Sequence, residues 1–309
     1  MPNKDEIQKE ILELKSAAQD NVRRKYLKEL HNYTSRDTII YASAFTSKKM
    51  PQLPPFLISI TNEDIQGFMS ALHGLSGTNL DLILHSHGGS LEAADQIVQY
   101  LRAKYQNIRA IIPQNAMSAA TMIACACDSV VMGKHSAIGP IDPQITFPTV
   151  NGHFTAPAQA ILDEFEKAKE EIVKDPRTAP LWVSKIQAYP QGFLTICQNT
   201  IDLAKDKVTE WLNTYMFKNV PQEEQIGRNI ADWLGNNAIH KTHGRPIGLS
   251  IAKEKGLKVF PLEEDQKFQE KVLSVFHATT VTLEVTDCMK FIENHEGRGS
   301  FLNVKIEMK

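Results

Sequence analysis

Ser118 stands in the run Ala116-Met117-Ser118-Ala119-Ala120, where a predicted strand gives way to an apolar helix. The first turn of a helix offers free N–H groups and the positive end of the dipole, which favour a developing negative charge. A second feature, His85-Ser86-His87-Gly88-Gly89, closes the preceding strand. Small residues there let the backbone approach a ligand closely. The free N–H groups at the helix start, with a second donor from the glycine loop, would make an oxyanion hole. A hydroxyl beside such a hole is a candidate acyl-transfer nucleophile. Taken singly, each motif has an ordinary reading. Serine before an apolar helix commonly serves as an N-cap, and Gly-Gly commonly marks a strand-to-helix turn. Either motif alone leaves the ordinary reading ahead; the two occur in this order with one strand–helix unit between them.

The elements that must position these residues follow from hydrophobic period. Thr38–Ala42, Leu80–His85, Ile108–Ile112 and Ser129–Met132 read as strands. Helices are predicted to open at Thr61-Asn62-Glu63-Asp64 and run through Leu72, with Thr61 a candidate N-cap and Asp64 at N3, and over Leu91–Ala103 and Ser118–Cys127. Strands alternating with helices argue for an α/β domain with parallel strands. Further helices are predicted over Pro157–Lys174, Phe193–Phe217, Glu223–Leu234 and Gly248–Lys255. Residues 4–31 read as one polar amphipathic helix, with Ile7, Ile11, Leu14, Ala18, Val22, Tyr26 and Leu30 at three- and four-residue steps. Pro51, Pro54 and Pro55 mark a loop, and Val281–Thr286 and Leu302–Ile306 read as strands flanking the turn Glu296-Gly297-Arg298-Gly299. The expected organisation is an N-terminal helical arm (1–34), an α/β domain (35–262) and a small β-rich C-terminal tail (263–309).

Four blocks together resemble the Clp/crotonase superfamily of serine peptidases, and within it the SDH (serine dehydrogenase proteinase) family, related to signal peptide peptidase A and the ClpP protease. They are Ile60-Thr61-Asn62-Glu63-Asp64, Leu82–Gly89, Ala116–Thr121 and Ala137-Ile138-Gly139-Pro140-Ile141-Asp142-Pro143-Gln144. The resemblance implies stacked ββα units with parallel strands, an N-terminal helical arm and additional C-terminal helices. It implies Ser118 as nucleophile, the N–H groups of Gly89 and Ala119 as oxyanion donors, and a substrate edge formed by Gly88, His87 and Gly139. The family's loop usually reads Thr-Pro-Gly-Gly, and this chain carries Ser86-His87 in place of Thr-Pro. It also implies a homo-oligomer acting on a peptide or protein substrate.

The general base is less legible. The histidine slot of ClpP-like enzymes falls near Ile141-Asp142, and the lysine slot of signal-peptide-peptidase-like enzymes falls near Gln159; neither holds the required residue. Of the lysines that follow, Lys169 shares a helical stripe with Leu162, Phe165 and Ile172, whereas Lys167 and Lys174 do not. Burial on that stripe would push its amine toward the neutral form a base needs. The ordinary reading of Lys169 is a snorkelling side chain at the stripe edge. His85 and Asp142 complete the candidates, His85 as a base at a strand end and Asp142 as a carboxylate that orients a base or caps the loop.

Composition narrows the alternatives. The 309 residues carry 34 Lys plus Arg against 36 Asp plus Glu, so no basic excess favours a nucleic-acid partner. No apolar run reaches the roughly 20 residues of a membrane helix, and the first ten residues are too charged for a signal peptide. Of the four cysteines, Cys125 and Cys127 fall in a segment that reads as buried, which points to a reduced, cytoplasmic protein. No nearby Cys or His completes a metal set around them, no Gly-X-X-X-X-Gly-Lys-Ser/Thr loop occurs, and no cofactor is implied. Two other functions stay open: a crotonase-type acyl-CoA enzyme, which needs no serine at 118, and a binding or scaffold protein that has lost catalysis.

Overall fold

The computed structural model describes residue 7 and residues 18–48, 54–149 and 152–305. The remainder of the helix expected over 4–31, with Pro51 and Ile306, lies outside the described residues. Helix α1 (Ala18–Thr34) leads into strand β1 (Asp37–Ser43), and α2 (Asp64–Leu72), β2 (Asn79–His85), α3 (Leu91–Lys104) and β3 (Asn107–Ile112) alternate after it. Then come β4 (Asn115–Ala116), α4 (Ala119–Cys125), β5 (Ser129–Met132) and β6 (Ala137–Ile138). A hairpin of β7 (Gln144–Thr149) and β8 (Gly152–Pro157) opens a helical region: α5 (Ala158–Lys174), α6 (Ala179–Ile186), α7 (Phe193–Trp211), α8 (Glu223–Leu234) and α9 (Asn237–His240). The chain returns through β9 (Ile247–Gly248), α10 (Leu249–Glu254) and β10 (Val259–Pro261). It then forms α11 (Gln266–Val285) and the hairpin β11 (Cys288–Asn294) and β12 (Gly299–Asn303).

Seven strands form the central sheet in the order β10-β5-β3-β2-β1-β11-β12. The first five pair in parallel and the C-terminal hairpin adds two antiparallel strands beside β1. The α/β expectation with a parallel-dominated sheet is met. Alternating side chains divide the core between the two faces. Leu82 and Leu84 of β2 pack with α2, α3, α4 and α7, while Ile83 packs with α1 and α11. A small sheet, β4-β6-β9, stands at the end where the strand–helix turns emerge. Among the described residues no helix is long and apolar enough to cross a membrane.

Two expectations for the C-terminal segment need correction. Val281–Thr286 is not a strand: through Val285 it is the end of α11, and the strand paired with β12 is Cys288–Asn294. The segment read as a β-rich tail therefore begins with a 20-residue helix. Residues on nearly every side of α11 are buried, so it carries no one-sided apolar stripe, and its Val and Thr residues imitate strand composition.

Candidate active site

Ser118 occupies the N-cap position of α4, yet its side chain makes no capping hydrogen bond. Its backbone sits at φ 51°, ψ −122°. A non-glycine residue held in such a sparsely populated region costs about 1–3 kcal/mol and persists only where neighbouring contacts over-determine it. Those contacts are present. Met117 N–H donates to Ser86 O at 2.9 Å, and Ala116 forms a parallel bridge with Ser86. Thr121 Oγ1 donates to Ala116 O at 2.7 Å and accepts from Gly139 N–H at 2.9 Å. The turn is thus a strained strand-to-helix elbow that presents a hydroxyl which the helix does not use.

The glycine loop lies against this elbow. Gly88 has φ +104°, and a Cβ on it would fall 2.6 Å from Ser118 Cβ and 2.7 Å from Met117 O. Gly89 bridges Ile60, and a Cβ there would overlap the Ile60 backbone. Among the described residues neither the Gly89 nor the Ala119 N–H finds an acceptor. Both residues line one cavity of about 630 Å³ together with Ser118, His87 and His243. Leu91, Met122, Ile141 and Ile145 supply its apolar wall. Two donors beside a hydroxyl in a partly apolar cleft can stabilise the oxyanion of a tetrahedral intermediate.

Asp142 is buried, and its Oδ1 accepts from His243 Nδ1 at 2.8 Å. Its Oδ2 accepts from Gln144 Nε2 at 2.9 Å and Asn237 Nδ2 at 3.2 Å. A donor proton on Nδ1 leaves His243 Nε2 as the acceptor nitrogen, the form a general base needs. No motif or spacing in the sequence singles out His243. The signal that could have found it was the unfilled histidine slot next to Asp142, answered from 101 residues away.

Other candidates fall elsewhere. His85 is fully buried on the opposite face of the sheet, between the rings of Phe45 at 4.6 Å and Phe276 at 5.0 Å. Burial pushes its pKa down to about 3, and its Nε2 meets Thr46 Oγ1 rather than Ser118. Strand parity is the reason: Leu84 faces α3 and α4, so His85 faces α11. The buried amine expected at Lys169 is absent. That side chain is 56 % exposed and pairs with Glu166 at 2.7 Å. The buried face of α5 is Ala158, Ile161 and Ala168, and Lys169 lies one residue past it. Lys167 and Lys174 are exposed as well, and none of the three lines the Ser118 cavity. Gly139 lies behind the elbow, with room only for the Met117 side chain, and does not line the cavity. His87 does line it, with Nε2 3.3 Å from Ser59 Oγ. Its pKa is lowered by burial and, secondarily, by Lys290.

Cys125 and Cys127 are free and buried, with thiols pushed up to about 12 by burial, which keeps them protonated and unreactive. Among the described residues one group, His31, Asp37 and His295, has the composition of a metal site. Its imidazoles stack at 3.7 Å with planes 6° apart, so their in-plane lone pairs run side by side and do not converge on one ion. Asp37 is already engaged by Gly77 N–H and Tyr105 OH.

Residues 12–275 match the family model of the ClpP-like SDH-type serine proteinases. The chain belongs to this family. Membership supports peptidase activity in general and agrees with the parallel-dominated sheet. Two relatives come from Methanocaldococcus jannaschii. The uncharacterized protein MJ0137 is 29 % identical over 241 residues, 77 % of this chain and 73 % of its own length. The uncharacterized protein MJ1495 is 29 % identical over 206 residues, 66 % of this chain and 60 % of its own length. A mutant of the 1510-N membrane-bound stomatin-specific protease aligns with TM-score 0.40 at 16 % identity, over 69 % of this chain and 79 % of that one.

Proposed function

We propose that this SDH-type proteinase hydrolyses internal peptide bonds through an acyl-enzyme on Ser118, without nucleotide, and that His243 held by Asp142 is its general base. The observation that carries this reading is the strained, uncapped Ser118 elbow in the same cavity as the Asp142-bound imidazole. His243 Nε2 takes the Ser118 proton during attack on the carbonyl and returns it to the leaving amine. Asp142 stabilises the imidazolium that forms between those steps. Gly89 and Ala119 N–H groups bind the oxyanion. Among the described residues Ser118 and His243 share no direct hydrogen bond, as is common before substrate closes a site. Lys169 has no part in this scheme. Assembly with further copies of the chain, and a cytoplasmic setting that keeps the four buried cysteines reduced, belong to the same proposal.

A fluorophosphonate probe tests it. Wild type labels and Ser118→Ala does not. His243→Ala and Asp142→Asn slow labelling by about 10²–10⁴-fold, and Lys169→Ala labels at the wild-type rate. Folded wild type that never labels sinks the peptidase mechanism and favours a binding protein. Acyl-CoA turnover that survives Ser118→Ala points to the crotonase-type reading.

A further inference from the structure

The glycine loop is held from a part of the chain that lies beyond the family match. Ile60 N–H donates to Gly88 O at 2.8 Å, and Ser90 N–H donates to Ile60 O at 3.0 Å. Ile60 therefore brackets Gly89 on both sides, and its backbone sets where the Gly89 N–H can sit. Both neighbours of Ile60 are tied to one ammonium. Lys290 Nζ donates to Ser59 O at 2.8 Å and to Thr61 Oγ1 at 3.2 Å. Its third partner is Asp64 Oδ1 at 2.8 Å, so all three ammonium protons are used. The other oxygen of Asp64 accepts from Thr61 N–H at 3.0 Å and Tyr41 OH at 2.9 Å. The Lys290 and Asp64 side chains are 8 % and 6 % exposed, so water does not compete for these bonds. Lys290 lies in β11, past residue 275 where the family match ends.

We propose that Lys290 is a positioning residue for the oxyanion hole: the C-terminal hairpin, through the segment Ser59–Thr61, sets the place of the Gly89 donor. This rests on the oxyanion role given above to Gly89. A donor moved by about 1 Å from the developing charge can cost about 10²-fold in rate. An ion pair that merely fastened the hairpin to α2 would act on folding and leave turnover by the folded enzyme alone.

The test compares wild type with Lys290→Met, Lys290→Arg, Thr61→Val and the double variant Lys290→Met/Asp64→Asn, which leaves no unpaired buried charge. Circular dichroism and melting establish folding. Turnover of a chromogenic ester and the rate of fluorophosphonate labelling are the readouts. Lys290→Met and the double variant are expected to lower kcat and labelling by about 10- to 100-fold, with KM within about twofold. Lys290→Arg recovers part of the loss, and Thr61→Val, which removes one neutral acceptor, loses about threefold. A folded double variant that labels at the wild-type rate, or one that raises KM alone, overturns the proposal. Should both Lys290→Met proteins melt below assay temperature, Thr61→Val decides: wild-type labelling overturns it. Wild type that fails to label refutes the oxyanion reading itself, a separate outcome.

Discussion

His85 has its ring between Phe45 and Phe276, where burial penalises the charged form. Its folded pKa of about 3 lies below the ordinary 6.5. The unfolded chain thus binds more protons than the folded one between these values. The stability this neutral ring contributes is complete above pH 6.5 and is lost as pH falls toward 3. Between pH 7 and pH 5 the loss is about 2 kcal/mol. His87, His240 and His295 are also shifted down, chiefly by burial, and add to the trend. Melting by differential scanning fluorimetry is expected to drop over this range, and His85→Leu should flatten part of the slope. A slope unchanged in that variant would show that His85 does not carry this pH dependence. Ser118 shows the same economy of neighbours: its strain is held by Thr121, Gly139 and Ser86, none of which reacts.

At the scale of elements, the site depends on two strand–turn–helix junctions pressed together. β2 delivers the glycine loop and β4 delivers the elbow, and the Ser86–Ala116 bridge joins them. Gly88 is the point of closest approach. Gly88→Ala combines an unfavourable φ of +104° with a methyl group 2.6 Å from Ser118 Cβ. It should cost about 1–3 kcal/mol in stability and about 10²-fold or more in fluorophosphonate labelling. Wild-type labelling by a folded Gly88→Ala would show that the junction has slack the structure does not display. The hairpin β7–β8 joins these elements at the cavity through Ile145, Thr146 and Thr155. Sequence reading did not predict it, because Pro148 and Pro157 interrupt its alternation and its outer residues are exposed.

For the molecule as a whole, the two ends of the described chain meet on one edge of the sheet. Arg23 of α1 is fully buried between Phe291 at 4.6 Å and Phe301 at 5.2 Å, and donates to Glu293 at 2.6 Å. On the helical region Val173, Leu181 and Ile196 are left exposed, apolar surface that assembly would cover. Light scattering at micromolar concentration is expected to give a multiple of 34.7 kDa, and a monomer mass would refute assembly. The parallel α/β core, the Ser118 elbow and the Gly88-Gly89 loop were legible in the sequence because each is written locally, as a strand, a few small residues and a helix. Asp142 was legible as a carboxylate but not as the partner of His243, and Lys290 was not legible at all. Those contacts join residues 101 and 231 positions apart. No period or spacing encodes a pair brought together only in the folded chain, so the Asp142–His243 pair and the Lys290 contacts were decided by tertiary packing. His85 shows the converse: its place in the chain beside the glycine loop suggested catalysis, and the alternation of strand side chains sent it to the other face.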